Sequence, residues 1–256
     1  MDSELTLPLD ILLHIIDLLA DDWDMDSIKS LQILSQTCKY MLPICRKHLF
    51  SNLDLCNISI SKCFSNLLLE NPEIAHYVKS LSYYRLYYSD PSDDLIILNI
   101  LKVRSPLQWI ELSSPGVEWN DYPESIRLSL LSLIELPTVT HLYFHSFKRF
   151  PASSLSGCTN LINLQFGYIE LALPDSEFNH VISRSKIPTP AFLNIQRGTY
   201  GFAALLNYAS LHAGGPIDFS HVERAEFEVD FQGVIDDINK LIKLTRRLRY
   251  IHIKSK

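Results

Sequence analysis

The sequence is poor in the features that most enzyme sites need. It has only 8 glycines in 256 residues, and it contains no G-x-S-x-G turn, no glycine-rich phosphate loop and no H-E-x-x-H helix. Its 5 cysteines include no C-x-x-C pair, which disfavours a zinc site. We therefore expect a protein that is not an enzyme and that holds neither a metal ion nor a cofactor.

Basic charge and long apolar runs are also scarce, and this bears on partners and location. The chain carries 29 acidic and 23 basic residues, and its net charge of -6 disfavours binding to nucleic acid or to anionic membranes. No lysine or arginine precedes Lys29, unlike in a signal or transit peptide. No apolar run approaches the ~20 residues that span a bilayer. We expect a soluble protein of the cytoplasm or nucleus, with reduced and mostly buried cysteines.

The N-terminal segment 7–50 predicts a helix with more apolar surface than so small a unit can bury. Only three residues of 7–19 are polar, and their spacing places them on one narrow stripe of a helix. Two shorter helices should follow, at about 26–38 and 40–50. Pro43 should lie in the first turn of the helix at 40–50. The surplus apolar face either docks on another protein or is covered by the rest of the chain, and the residues alone leave both readings open.

Particular residues in this segment form a family pattern. They are Leu7-Pro8, Asp10-Ile11-Leu12, Ile15, Leu19, Ser35-x-Thr37-Cys38-Lys39, Leu42-Pro43 and Arg46-x-x-Leu49-Phe50. The pattern resembles an F-box in the form common in mushroom-type fungi, with Asp10 in place of the usual Glu and Met41 in place of the usual Trp. The resemblance implies a three-helix unit that docks on a Skp-type adaptor. The residues implied to bind that adaptor are Leu7, Pro8, Ile11, Leu12, Ile15 and Leu19.

A second pattern repeats through the rest of the chain. The form apolar-x-x-apolar-x-apolar begins at Val78, Leu107, Val139, Leu161, Pro190, Val222 and Leu248. The intervals lie within or just beyond the range of leucine-rich repeats, in which each unit is a short strand followed by a helix or turn. Helix patterns occupy the intervening residues 93–104, 124–136, 201–213 and 233–248. Strands that alternate with helices at a repeating interval should run parallel.

These two patterns together predict an α/β protein. An F-box-like helical domain should occupy residues 1–55, a linker residues 56–75, and an irregular leucine-rich-repeat solenoid with parallel strands residues 76–256. The repeats resemble the degenerate leucine-rich repeats often found behind F-boxes.

Candidate target-binding residues follow from the alternation along the predicted strands. Side chains between the spaced apolar residues should share the face away from the core, where aromatic rings with polar neighbours suit protein recognition. The predicted target-binding residues are Trp109, His141, Tyr143, His145 and Phe192. The alternative reading is that these rings only cover one another. On a strand His141 and His145 are about 13 Å apart, too far to share a metal ion.

The resemblance implies a function for the whole chain. It would be the substrate-recognition subunit of a Skp-cullin-F-box ubiquitin ligase, with the adaptor on the helical head and a protein target on the repeats. The alternative is a non-ligase scaffold of repeats in which the helical head acts as a cap.

Overall fold

The structure is a computed structural model with a mixed α/β fold. It describes residues 8–22, 25–84, 91–115, 117–172, 187–196, 199, 201–211, 215–229 and 233–255. Leu7, one of the predicted adaptor-binding residues, lies outside the described residues. Across the part of the chain that the structure describes, no helix is both long and apolar enough to cross a membrane.

Three helices form the N-terminal head, close to the predicted bounds. They are α1 (Leu9–Asp22), α2 (Met25–Thr37) and α3 (Met41–Leu49). Pro43 lies in the first turn of α3, where its missing N–H leaves no helical carbonyl unpaired. The head has a hydrophobic core of its own, which consists of Ile16, Ala20, Leu31, Met41 and Cys45.

The rest of the chain builds a sheet and its covering helices. In chain order the strands are β1 (Asn52–Leu55), β2 (Ser80–Tyr84), β3 (Trp109–Ser113), β4 (His141–His145), β5 (Phe150–Pro151), β6 (Asn163–Gly167), β7 (Leu171–Ala172), β8 (Phe192–Ile195), β9 (Arg224–Val229) and β10 (Tyr250–Ser255). Eight of them form one parallel sheet in the order β1-β2-β3-β4-β6-β8-β9-β10, whereas β5 and β7 form a small second sheet. Each strand of the large sheet therefore pairs with the nearest large-sheet strands before and after it in the chain.

The repeat pattern correctly predicted seven of these strands. Each begins two residues after the start of its pattern, as Ser80 follows Val78 and Tyr250 follows Leu248. In the first six of these repeats the first apolar residue of the pattern is buried before the strand begins, and the two later ones point from the strand into the core. In the last repeat Leu248 and Ile251 are half-buried against the core, and Ile253 is exposed.

The connections carry helices that pack side by side. The helices are α4 (Ile58–Glu70), α5 (Ser92–Arg104), α6 (Glu124–Ile134), α7 (Phe202–Leu211) and α8 (Gly233–Leu244), and 3-10 turns occupy Pro72–Tyr77, Trp119–Asp121, Ala152–Gly157 and Phe219–His221. Helix α4 contacts α5, α5 contacts α6 and α7 contacts α8. The main core lies between these helices and one face of the large sheet.

The interval 56–75, predicted as a linker, is part of this packed layer. It contains α4, whose Phe64 and Leu68 belong to the main core, and the chain before it forms β1, with Leu55 fully buried. The repeat pattern also begins at Phe50, with Leu53 and Leu55 as its later apolar positions. Residues 56–75 therefore form a packed helix and the start of a 3-10 turn, and Phe64 and Leu68 lie on the same side of that helix because they are four residues apart.

None of the five cysteines, all of which lie in the described part of the chain, forms a disulfide bond. Cys45 and Cys158 are buried, as expected, but Cys38, Cys56 and Cys63 are exposed. The first two of these exposed residues follow the ends of α2 and β1, and the third lies on the outer side of α4.

Candidate protein-interaction surfaces

The first candidate surface is an exposed apolar stripe on α1. We define the α1 face as Pro8, Ile11, Ile15 and Leu18, which lie on one side of the helix. The exposed fractions of Ile11, Ile15 and Leu18 are 45%, 40% and 53%. The opposite side of α1 supplies the buried residues of the head core.

The described residues that were predicted to bind the adaptor differ in exposure: some lie on the α1 face and others lie beside it. Pro8, Ile11 and Ile15 are exposed on the face, while Leu12 and Leu19 are half-buried beside it. Leu19 packs against the head core and lines a groove of about 490 Å³ between the three helices, together with Leu31 of α2 and Leu49 of α3. Leu18 was missed by the sequence analysis, although its spacing of three and seven residues from Ile15 and Ile11 could have identified it.

A polar contact fixes the other side of α1. The Nε2 atom of His48 on α3 lies 3.1 Å from Oδ1 of Asp17. This contact holds α1 on α3 while leaving the α1 face directed away from the head core.

The second candidate surface is the face of the large sheet away from the helices, which we call the open face. The strand register arranges its side chains in rows that cross the strands. The first row is Asn52, Ser80, Trp109, His141, Asn163, Phe192, Arg224 and Tyr250. The second row is Asp54, Ser82, Glu111, Tyr143, Gln165, Asn194, Glu226 and His252. The third row includes Tyr84, Ser113, His145, Gly167, Glu228 and Lys254. The structure thus places all five predicted target-binding residues on this face.

The middle of the open face contains a cluster of aromatic and polar side chains around a glycine. We define the central cluster as Tyr143, His145, Gly167, Tyr168 and Gln196. The phenol of Tyr143 donates to Oε1 of Gln196 at 3.2 Å, and the rings of His145 and Tyr168 meet edge-on at a centroid distance of 5.4 Å. The lack of a side chain at Gly167 leaves room for Gln196 and His145. A Cβ at this position would lie 2.7 Å from Oε1 of Gln196 and 2.8 Å from Cδ2 of His145.

Tyr168 holds an uncommon backbone conformation beside this space. Its φ angle is 51°, in the left-handed region that a bulky residue rarely adopts, and its side chain is exposed. Ser146, which holds the equivalent place after β4, has a φ angle of 61°. The two turns stack through a hydrogen bond of 2.8 Å from the N–H of Ser146 to the carbonyl of Gly167. This stacked pair of turns presents the Tyr168 ring beside His145.

Burial disfavours the ionised forms of two side chains in the central cluster, Tyr143 and His145. Burial raises the pKa of Tyr143 above its ordinary value, and the nearby Glu111 carboxylate raises it further. Burial lowers the pKa of His145, and Glu111 only partly opposes this shift. At neutral pH both groups therefore act as neutral hydrogen-bonding partners, and Nδ1 of His145 lies 2.9 Å from Oγ of Ser146.

The predicted target-binding residues do not form one group. Trp109 and His141 are paired across β3 and β4, next to Tyr143 and His145. Phe192 lies on β8, beyond β6, where the guanidinium of Arg224 stands 5.3 Å from the centre of its ring.

Metal ligands do not cluster on the described part of the open face. His141 and His145 lie in the first and third rows, and among the described residues no three His, Cys, Asp or Glu side chains are close enough together to hold a metal ion.

Three residues that the sequence analysis did not choose also belong to this surface. Glu111 supplies the carboxylate that acts on Tyr143 and His145, whereas Gln196 and Tyr168 complete the central cluster. Alternation along β3 had placed Glu111 on the face, but its proximity to Tyr143 depends on the register of β3 against β4. Tyr168 follows the end of its strand, so alternation could not place it.

Comparison of the chain with models of known protein families finds no matching family, and comparison with curated proteins finds no similar sequence. The choice of a function therefore depends on the two surfaces.

Proposed function

We propose that the protein is a non-enzymatic substrate-recognition subunit of a Skp-cullin-F-box ubiquitin ligase. The α1 face would dock on a Skp-type adaptor, and the open face would hold a protein target. Other subunits would then carry out ubiquitin transfer, so this chain needs only to bring the target close to them. The observation that carries the proposal is the exposed α1 face on a head that has its own core.

The hydrophobic surface of the head supports docking on another protein. Fully burying a leucine or isoleucine side chain is worth about 1.5–3 kcal/mol relative to leaving it in water. The described part of the chain leaves Ile11, Ile15 and Leu18 between two-fifths and just over one-half exposed, along a single stripe. A contiguous stripe of this kind on a folded unit is typical of a protein interaction site.

The arrangement of the elements supports the family assignment. Three helices at the predicted positions agree with an F-box, and parallel strands that follow chain order with packed helices between them agree with a leucine-rich-repeat solenoid. The open face then corresponds to the surface on which such repeats commonly hold a partner.

Co-expression with a Skp-type adaptor tests the proposal. We expect the wild-type chain to co-purify with the adaptor in one complex, and Ile11→Asp combined with Ile15→Asp to abolish that complex, because a carboxylate at each position would be desolvated at the interface. Val103→Asp is the matched control, since Val103 is 80% exposed on α5 and lies outside the α1 face.

The result that would contradict the proposal is a wild-type chain that elutes alone in the presence of excess adaptor. A double variant that still binds as well as Val103→Asp would also contradict it. Circular dichroism of all variants establishes that any loss of binding does not come from unfolding.

A second candidate, a non-ligase scaffold capped by the head, is favoured by the contacts at the junction. Helix α3 contacts the 3-10 turn Pro72–Tyr77, and the ring of Phe50 lies 6.4 Å from that of Phe64. A variant that lacks residues 1–49 but keeps Phe50 distinguishes between the two proposed functions. A cap would be required to keep the sheet from aggregating, whereas a docking head would detach and leave the sheet folded.

A further inference from the structure

One end of the open face binds an arginine of the chain itself. The guanidinium carbon of Arg224 lies 5.3 Å from the ring centre of Phe192 and 5.1 Å from that of Tyr250, its neighbours in the first row. An Nη atom of Arg224 also lies 2.5 Å from Oε1 of Glu226, two residues further along the same strand. The chain therefore shows how this face accommodates a guanidinium, with aromatic rings in the first row and a carboxylate in the second.

Strand β3 combines the same two kinds of group, an aromatic ring in the first row and a carboxylate in the second, although its ring takes the strand position that Arg224 holds on β9. Trp109 is in the first row and Glu111 follows it in the second, as Arg224 and Glu226 do on β9. The Trp109 side chain is 46% exposed and makes no ring contact with a described residue. Glu111 accepts a hydrogen bond of 3.2 Å from Oγ of Ser82, and no lysine or arginine among the described residues forms an ion pair with it.

The described side chains around Trp109 and Glu111 do not supply a positive charge. The residues of β1 to β4 that lie on the open face include Asp54 and Glu111 but no lysine or arginine. His145 is neutral at neutral pH because burial lowers its pKa. The ring of His141 is engaged with Thr140, whose Oγ1 lies 2.9 Å from Nδ1. The net charge of -6 adds a long-range attraction for a basic ligand.

We propose that Trp109 and Glu111 bind an arginine side chain of the target protein. The guanidinium lies against the indole ring and donates hydrogen bonds to the Glu111 carboxylate, while the central cluster contacts the residues beside the arginine. Arginine fits better than lysine because its flat guanidinium can stack on a ring and donate two parallel hydrogen bonds. The inference deepens the proposed function, since it states which chemistry of target the open face selects.

The first experiment measures arginine binding to the full chain directly. N-acetyl-arginine methylamide is titrated into ¹⁵N-labelled protein, and the indole N–H signal of Trp109, assigned with Trp109→Phe, is followed. We expect a saturable shift with the arginine compound and at least a tenfold weaker response to the citrulline compound, which has the same shape without the charge. Glu111→Gln should weaken arginine binding at least fivefold, whereas Glu70→Gln, a change of an exposed carboxylate on α4, should not.

The inference is overturned if citrulline or lysine derivatives give the same response as arginine, or if Glu111→Gln binds as the wild type does. Absence of any shift at Trp109 also overturns it. Circular dichroism of Glu111→Gln excludes unfolding as the cause of a loss.

The second experiment extends the test to peptides. A random decapeptide display library is selected on the immobilised full chain and on the Trp109→Leu variant. We expect arginine to be enriched at one position on the wild type and to lose that enrichment on the variant. Equal enrichment on both proteins would contradict the proposal.

The outcomes are separate from those of the adaptor experiment. Glu111→Gln leaves the α1 face intact, so adaptor binding should be unchanged by it. If arginine binding is found while the adaptor test fails, the site holds and the ligase proposal does not. If the adaptor binds while arginine does not, the ligase proposal holds and this inference is wrong.

Discussion

The phenol of Tyr143 reaches across β6 to donate a hydrogen bond to Gln196, directly over Gly167. The absence of a side chain at Gly167 is what permits this contact. Gly167→Ala should therefore displace Gln196 and His145 and destabilise the fold by about 1–3 kcal/mol, the usual cost of overpacking. Urea denaturation measures the loss, and Asn52→Ala, at an exposed position on the edge strand β1, is the control with little expected change. An unchanged midpoint for Gly167→Ala would show that the central cluster is loosely packed.

His145 should titrate below the ordinary pKa of a histidine, because the folded protein disfavours its charged form. With the folded pKa below the unfolded one, the unfolded state takes up the proton first as pH falls. The contribution of His145 to stability is thus complete above the unfolded pKa of about 6.5 and declines as pH drops below it. NMR titration of the ring protons gives the pKa directly. In thermal melts between pH 7 and pH 5, His145→Gln should lose less stability with falling pH than the wild type does, and parallel losses would refute the assignment.

Arg224 should stabilise the far end of the sheet through its rings and Glu226. Arg224→Met keeps most of the apolar length of the side chain and removes the charge, so we expect a loss of about 1 kcal/mol, limited by solvent exposure. The reference is Lys243→Met, which also removes one positive charge but at an exposed position on α8. Chemical denaturation in low and high salt measures both. Equal effects of the two variants would mean that the ring contacts contribute little.

Strand β1 should be essential to the sheet. Leu55 is fully buried against the main core, so Leu55→Asp would place an unpaired carboxylate there and cost about 4 kcal/mol or more. Asp54→Asn alters the exposed neighbour and should be nearly neutral. Hydrogen exchange of the β2 amides reports the effect on the adjoining strand. Fast exchange limited to residues 52–55 in Leu55→Asp would indicate that β1 is only loosely attached to the rest of the sheet.

The sequence predicted the repeating elements far better than the surfaces. Period-two alternation is a local property, so it located seven strands and told which side chains face away from the core. It could not show that Glu111 lies opposite Tyr143, because that proximity depends on register between strands that are about thirty residues apart in sequence.

Residues at element ends were missed for a different reason. Tyr168 follows its strand in a left-handed conformation that is usual for glycine, so nothing in its residue type predicted the turn. Strand β1 was missed because residues 1–55 were assigned to the F-box-like domain and the repeat was expected only from residue 76 onward. The resemblance itself, and the function that it implies, stay predictions.

The order of the strands has a consequence for how the open face can change. Among the described residues, each strand of the large sheet pairs only with the nearest large-sheet strands before and after it in the chain. Gain or loss of one such strand with its connection would therefore lengthen or shorten the sheet by one strand spacing, about 4.8 Å. Every other pairing and the α1 face would stay intact. A change in the number of strands would therefore alter the width of the open face without altering the head.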